Sequence, residues 1–135
     1  MLDAQCAIDV SRGYAHSAQM RNDLEVRTKR FALEVISFVA SLKRSKGADV
    51  ITHQLLKSAT SIGANYREAA RAQSRDDFIY KLAICEKEAG ETEYWLQLLA
   101  ESRLGDATYC ETLLRECREL IAILVTSSRT AKARR

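Results

Sequence analysis

The chain has 135 residues, of which 47% are hydrophobic and 29% are charged, and its formal net charge is +3. It contains no proline and only five glycines, which excludes collagen-like chains, loop-rich disulfide scaffolds and β-sandwiches, because these depend on frequent turn residues. Of the 21 basic residues, four lie among the last seven, which leaves 17 basic against 18 acidic side chains in residues 1–128. The composition therefore predicts a single all-α domain whose surplus positive charge belongs to its C-terminal tail.

Residues 1–25 show no sustained hydrophobic period, so they are predicted to form a flexible or weakly helical N-terminal extension. A first helix follows, and Gly47 is predicted to end it as a left-handed cap. Asp49 is then the expected N-cap of the second helix. Apolar residues three or four positions apart form one stripe on the first helix: Phe31, Val35, Phe38 and Leu42.

The second helix carries a stripe of apolar residues, several of them small, with Gly63 beside it. Because glycine inside a helix costs roughly 0.5–1 kcal/mol relative to alanine, Gly63 predicts the close approach of a neighbouring helix. The stripe consists of Ile51, Leu55, Ala59, Ile62, Tyr66 and Ala69.

The third helix shows the clearest pattern, because a capping box from Ser74 to Asp77 opens it and its apolar stripe keeps a heptad spacing. Gly105 and Asp106 predict a stop and a restart, and the fourth helix is expected to fray after Ser128. The third stripe is Phe78, Leu82, Cys85, Ala89, Thr92, Leu96 and Leu99, and the fourth is Cys110, Leu113, Cys117, Leu120 and Leu124.

Four helices with short connections predict an antiparallel up-down-up-down four-helix bundle over residues 26–128, followed by a basic tail over residues 129–135. Further apolar side chains lie off the main stripes and exceed what one bundle core needs. This surplus predicts self-association. The off-stripe residues are Ile79, Ile84, Tyr94, Trp95, Leu98, Leu114, Ile121 and Val125.

No catalytic set is recognisable in the sequence. The cysteines form no CxxC pair and none lies at zinc-ligand spacing from a histidine, so they are expected to be small core residues. Neither His16 nor His53 follows a glutamate by three positions, as a di-iron carboxylate site in a bundle would require. The sequence predicts no enzyme, no cofactor and no metal. The cysteines are Cys6, Cys85, Cys110 and Cys117.

The first twenty residues lack the apolar core of a signal peptide, and the longest strongly apolar run, residues 120–125, is far shorter than a bilayer requires. These features predict a cytoplasmic protein with reduced cysteines and no membrane partner.

Five acidic residues crowd the third helix, and one of them, Glu88, shares a flank of the helix with Trp95. The five are Glu86, Glu88, Glu91, Glu93 and Glu101. One interpretation is a solvated charged face. The other is a half-buried polar network in which these residues meet others on the second helix, fixing the register between helices or subunits. The residues expected on the second helix are Asn65, Arg67 and Glu68.

Basic residues form two sets that could bind phosphate groups. Arg67, Arg71 and Arg75 are spaced four apart along the end of the second helix and its loop, and the tail contributes the rest. Such binding would use backbone charge with little sequence selectivity, and the alternative is an ordinary soluble surface. The tail residues are Arg129, Lys132, Arg134 and Arg135.

Three segments, Ser61–Ala69, Ser74–Ile79 and Glu86–Leu96, resemble the bacterial four helix bundle protein family, also named 23S rRNA intervening-sequence proteins. More distantly, the chain resembles accessory variability determinant proteins of diversity-generating retroelements. The resemblance implies a homopentamer of four-helix bundles and, in the retroelement branch, a reverse transcriptase partner and nucleic-acid binding. It maps the family's Asn and Glu onto Asn65 and Glu68, and its acidic residues onto Glu88, Glu91 and Glu93.

Two functions remain open from the sequence. The first is a non-enzymatic oligomeric accessory protein that binds RNA or DNA through the phosphate backbone. The second is a protein-interaction scaffold whose apolar helix faces bind a protein partner, with no nucleic-acid role.

Overall fold

The computed structural model describes the backbone of residues 4–134 and the side chains of residues 18–134. Four helices account for nearly all of this part, and the described residues include no strand: α1 (Ala4–Ser41), α2 (Lys46–Ala70), α3 (Arg75–Ser102) and α4 (Ala107–Ala133). The predicted all-α class with four helices is confirmed. The predicted boundary between a flexible or weakly helical extension and the bundle at residue 25 is wrong, because residues 18–25 belong to α1 and Leu24 is buried in the core. The side chains of residues 1–17 lie outside the described residues.

The connection between α1 and α2 differs from the prediction. Ser45 is the N-cap of α2, and its hydroxyl accepts a hydrogen bond from the backbone N–H of Ala48 at 3.2 Å. Gly47 lies in the first turn of α2 without a positive φ, so its prediction as a left-handed cap is wrong. The prediction of Asp49 as N-cap is also wrong, because Asp49 lies in the first helical turn, where its carboxylate complements the helix dipole.

The other connections agree with the sequence. Ser74 caps α3 by accepting from the N–H of Asp77 at 3.1 Å, and Asp106 caps α4 by accepting from the N–H of Tyr109 at 2.7 Å. Arg103, in the left-handed conformation, ends α3.

The predicted fraying after Ser128 is wrong, because α4 continues to Ala133 and its buried stripe extends through Ser128 and Ala131.

The predicted stripes form the core, which confirms the heptad interpretation. Each helix packs against its two neighbours in the order α1, α2, α3, α4 and back to α1, so the elements form a bundle. The α2–α3 interface is the most extensive and the α1–α4 interface the narrowest. The largest fully buried side chains are Phe31, Val35, Phe38, Leu55, Ile62, Tyr66, Leu82, Leu96, Leu99, Leu113, Leu120 and Leu124.

Small polar groups line the interior where helices approach most closely. A methyl group added at Gly63 would lie 3.2 Å from Oγ1 of Thr28 on α1, which confirms the predicted close approach. Thr92 of α3 donates a hydrogen bond to Ser58 of α2 at 2.9 Å. No helix within the described residues is long and apolar enough to span a membrane.

Three cysteines lie in this interior, as predicted, while the side chain of Cys6 lies outside the described residues. The thiols of Cys85, Cys110 and Cys117 lie within 3.7 Å of the carbonyl oxygens of Ile62, Leu96 and Ala89, respectively. Burial raises the pKa of Cys85 and of Cys117 to about 12. These thiols are therefore protonated and unreactive near neutral pH.

Candidate nucleic-acid interface at one end of the bundle

The antiparallel arrangement brings the end of α2, the first turn of α3, the last turns of α4 and the region of α1 near residue 21 to the same end of the bundle. They line an open cavity of about 620 Å³, here called the end cavity. Its lining residues are Met20, Arg21, Leu24, Tyr66, Ala69, Ala70, Ala72, Arg75, Phe78, Thr126, Ser127, Thr130, Ala131 and Arg134.

The cavity exists because the residues at this end of the core are small. Ala69 and Ala70 end α2, and Ala131 takes the corresponding place on α4, so side-chain volume is missing between the helices. Leu24 and Tyr66 also line the cavity and are 4% and 1% exposed, so they belong to the core beneath it. The end cavity is thus an apolar recess that opens toward solvent.

Its charged lining residues are all arginines. Arg21 comes from α1, Arg75 from the start of α3 and Arg134 from the C-cap of α4, and all three are exposed. No carboxylate belongs to the described lining, although Asp76 and Asp77 follow Arg75 in the first turn of α3. Three guanidinium groups around one recess favour an anionic ligand, since arginine pairs well with phosphate and carboxylate oxygens.

Tyr66 lies at the base of this recess. Burial raises the pKa of Tyr66 well above its ordinary value, while the positive charge of Arg21 lowers it and the negative charge of Glu25 raises it further. The phenol is therefore neutral at physiological pH, and Arg21 is close enough to influence it. A neutral aromatic floor beneath cationic walls suits a ligand with an apolar part and a negative part.

The two basic sets predicted from the sequence meet at this end. Arg75 and Arg134, one from each set, line the end cavity. Arg67 and Arg71 are exposed at the end of α2, and Arg71 is its C-cap. Arg129 and Lys132 are exposed on the last turns of α4 without lining the cavity, and Arg135 lies outside the described residues.

Arg21 was missed because the sequence places it in the N-terminal extension. A signal was available, since Leu24 precedes Phe31 by seven residues and extends the core stripe of α1 one heptad toward the N-terminus. Leu24 is buried in the core cluster. Extending the stripe would have placed Arg21 on an ordered helix.

The acidic residues of α3 have partners other than those expected. Asn65 donates to the carbonyl of Ser61 within its own helix at 2.8 Å, and Glu93 accepts from Nε of Arg118 on α4 at 3.0 Å. Among the described residues, no hydrogen bond joins Asn65 or Glu68 to an acidic side chain of α3. Within one chain, the described hydrogen bonds therefore do not form the predicted network between α2 and α3.

Other residues of the predicted network differ in burial. Glu91 is exposed, whereas Glu88 is half-buried and burial, followed by the charge of Glu91, raises its pKa. Two polar atoms, Nε1 of Trp95 and Oε1 of Glu86, are buried with no hydrogen-bond partner in the described part of the chain.

An ion pair that connects distant parts of the sequence lies at the α1–α4 interface. Nε of Arg27 donates to Oε1 of Glu116 at 3.0 Å, and the guanidinium also contacts Glu119. These hydrogen bonds, led by Glu116, raise the pKa of Arg27. Arg27 is therefore engaged within the chain and does not contribute free positive charge to a phosphate-binding surface.

The described residues hold no cluster of three or more histidine, cysteine, aspartate or glutamate side chains that could bind a metal ion. His53 is exposed on α2, and the side chain of His16 lies outside the described residues.

Comparisons with known proteins agree with the fold. The family model of the 23S rRNA-intervening sequence protein matches residues 22–126. A solved structure from Bacteroides thetaiotaomicron, described as a protein with unknown function from the S23 ribosomal protein family, is 38% identical, with a TM-score of 0.75. The alignment covers 81% of this chain and 97% of that one. No functionally curated protein matches the chain. On the extent of the family match, the chain belongs to the 23S rRNA-intervening sequence protein family.

Proposed function

We propose that this protein is a non-enzymatic, oligomeric accessory protein of the cytoplasm that binds RNA or DNA through phosphate contacts at the basic end of the bundle. One observation carries the proposal: Arg21 of α1, Arg75 of α3 and Arg134 at the C-cap of α4 line one cavity that contains no described carboxylate. Arg71 and Lys132 add positive charge on the neighbouring turns.

Phosphate contacts of this kind give affinity without sequence selectivity. Arginine side chains on helix ends can follow the charge of a nucleic-acid backbone, while base identity needs groups positioned against base edges. The non-enzymatic part of the proposal rests on the surroundings of the possible nucleophiles. Cys85 and Cys117 are buried thiols with raised pKa, and His53 is exposed on the outside of α2.

Oligomerisation is supported by the outer faces of two helices. Val26, Leu33 and Ile36 follow one another along the outside of α1, and Leu33 is 57% exposed. Tyr80 and Tyr94 are likewise exposed on α3. Several copies in one assembly would present several basic ends, and the resulting avidity would strengthen weak single contacts.

Gly90, in the middle of α3, adds to this support. A methyl group there would meet nothing within 4 Å, so packing inside this chain does not require the glycine. A helix-interior glycine carries a stability cost that a close approach by another chain would justify.

The experiment for nucleic-acid binding is fluorescence anisotropy with a labelled single-stranded RNA at several salt concentrations. Each phosphate contact contributes a slope of about −0.7 in log K against log salt concentration for single strands. The double variant Arg75→Gln/Arg134→Gln should therefore weaken binding and reduce the slope by about 1.4. Arg115→Gln, on the exposed middle of α4, is the matched control and should change both much less. Absent or salt-independent binding of the unaltered protein would refute the proposal.

Self-association is tested by light scattering at micromolar concentration. The unaltered protein is expected to be a multimer, and Leu33→Gln/Ile36→Gln should shift it toward the monomer while leaving its helical circular dichroism unchanged. If the unaltered protein is a monomer, the proposed oligomerisation is wrong. The apolar faces of α1 and α3 would then favour the second function, a scaffold for a different protein partner.

A further inference from the structure

We propose that the end cavity is a recess for a terminal nucleotide that carries a phosphomonoester, so that the protein prefers phosphorylated strand ends. This inference rests on the proposed function and specifies the part of the nucleic acid that is bound, which is the phosphorylated end of a strand. It identifies the ligand as a nucleoside unit in the apolar recess with its terminal phosphate among Arg21, Arg75 and Arg134.

The shape of the cavity favours an end over a continuous strand. Leu24 and Tyr66, which line it, are almost completely buried in the core, so the cavity is a recess on the surface of the bundle and not a channel between the helices. Its volume of about 620 Å³ is within the range of roughly 300–1,000 Å³ for small-molecule sites. A nucleoside at the end of a strand can therefore enter while the rest of the strand continues over the exposed basic surface.

The lining offers different chemistry to the two parts of such a ligand. Met20 and Phe78 are more accessible than the floor and can cover the face of a base, because stacking on apolar and aromatic side chains does not depend on base identity. Thr126, Ser127 and Thr130 supply hydroxyl groups along the α4 side of the cavity. Hydroxyl groups can donate to or accept from a ribose.

The charge count favours a phosphomonoester over an internal phosphodiester. A phosphomonoester carries about −1.5 to −2 charges near pH 7, whereas a phosphodiester carries one. Three arginines around one recess match the more highly charged group better. The C-terminal ends of α2 and α4 also face this end of the bundle and disfavour anions, so the arginines and the N-terminal end of α3 have to outweigh them.

The test compares one short RNA in three forms, with a 5′-phosphate, with a 3′-phosphate and with hydroxyl groups at both ends. The full-length protein should bind at least one phosphorylated form about ten-fold more tightly than the hydroxyl form at physiological salt. A free nucleoside monophosphate should compete with the preferred form, whereas the corresponding nucleoside should not. Equal affinity for all three forms would overturn the inference.

Two variants distinguish binding in the end cavity from a general electrostatic attraction between the protein and RNA. Arg75→Gln removes one cation, and Ala70→Leu fills the cavity while keeping all three arginines. Both should abolish most of the ten-fold preference, whereas Arg115→Gln should preserve it. A preference for phosphorylated ends that survives Ala70→Leu would show that the end cavity does not bind the terminal nucleotide.

The same measurements distinguish the two levels of the proposal. Salt-dependent binding without an end preference refutes the recess and leaves the backbone-binding function standing. Absent binding of every RNA form refutes both.

Discussion

The two ends of this bundle are built from the same four helices, but the junction of α3 with α4 at one end is packed more tightly than the junction of α2 with α3 at the other. At the end where α3 meets α4, a methyl group on Gly105 would lie 2.5 Å from Cδ2 of Leu42 and 3.0 Å from Cζ of Phe38. The ring of Tyr109 lies 5.1 Å from that of Phe38, and its hydroxyl donates to the carbonyl of Glu34 at 3.2 Å. At the basic end, alanines leave a cavity of about 620 Å³.

This difference separates stability from binding within a small fold. Aromatic and leucine side chains at the packed end bury apolar area and hold the helices together. At the basic end, side chains do not fill the space between the helices, and three exposed arginines line the cavity that remains. Residues at the packed end should therefore control unfolding, and residues at the basic end should control ligand binding.

The largest expected effect compares a phenylalanine at each end. Phe38→Ala should lower the free energy of unfolding by about 3–5 kcal/mol, because Phe38 is fully buried and its removal leaves a cavity. Phe78→Ala should cost only about 1–2 kcal/mol, because Phe78 is half-buried beside a space that already exists. Urea unfolding followed by circular dichroism measures both. Equal losses would show that the two ends do not differ in packing.

A smaller effect concerns the thiols between the two ends. Because burial raises the pKa of Cys85 and Cys117 to about 12, the unfolded chain releases these protons at a lower pH than the folded protein. Stability should therefore fall as pH rises above about 9, by about 1.4 kcal/mol per pH unit for each thiol. Urea unfolding at pH 8 and pH 10 tests this. Cys85→Ala should remove one thiol's share of the decrease, and an unchanged decrease would contradict the burial argument.

The smallest expected effect compares two glycines at the packed end. Gly105→Ala should cost about 1 kcal/mol, because Leu42 and Phe38 have to move. Gly47→Ala should be neutral or slightly stabilising, because nothing lies within 4 Å of the added methyl group and alanine is the better helix former. Thermal unfolding measures both. Two indistinguishable melting temperatures would indicate that the packed end adapts more easily than its distances suggest.

The core could be predicted because heptad spacing is a local property of the sequence. Phe31, Leu82 and Leu120 were each placed correctly by neighbours three or four residues away. The start of α2 was harder, because Ser45 and Asp49 are both good N-cap residues and lie one helical turn apart. Only the extended backbone of Ser45 and its bond to Ala48 decide between them.

The candidate site needed the three-dimensional arrangement. The end cavity is a missing volume between alanines of different helices, and no local pattern encodes such a gap. Arg27 and Glu116 are 89 positions apart, so their ion pair depends on the packing of α1 against α4. The sequence did identify Arg75 and Arg134, but only the fold shows that these two residues line one recess.

The contact between Gly63 and Thr28 has a consequence for the evolution of this family. A methyl group at position 63 would come within 3.2 Å of the Thr28 hydroxyl and 3.4 Å of its Cβ, so the space between α1 and α2 is shared by these two positions. A relative with alanine at position 63 is then expected to lack the hydroxyl at position 28 and to carry alanine or glycine there. The close spacing of α1 and α2 should therefore make the residues at positions 28 and 63 vary together among relatives.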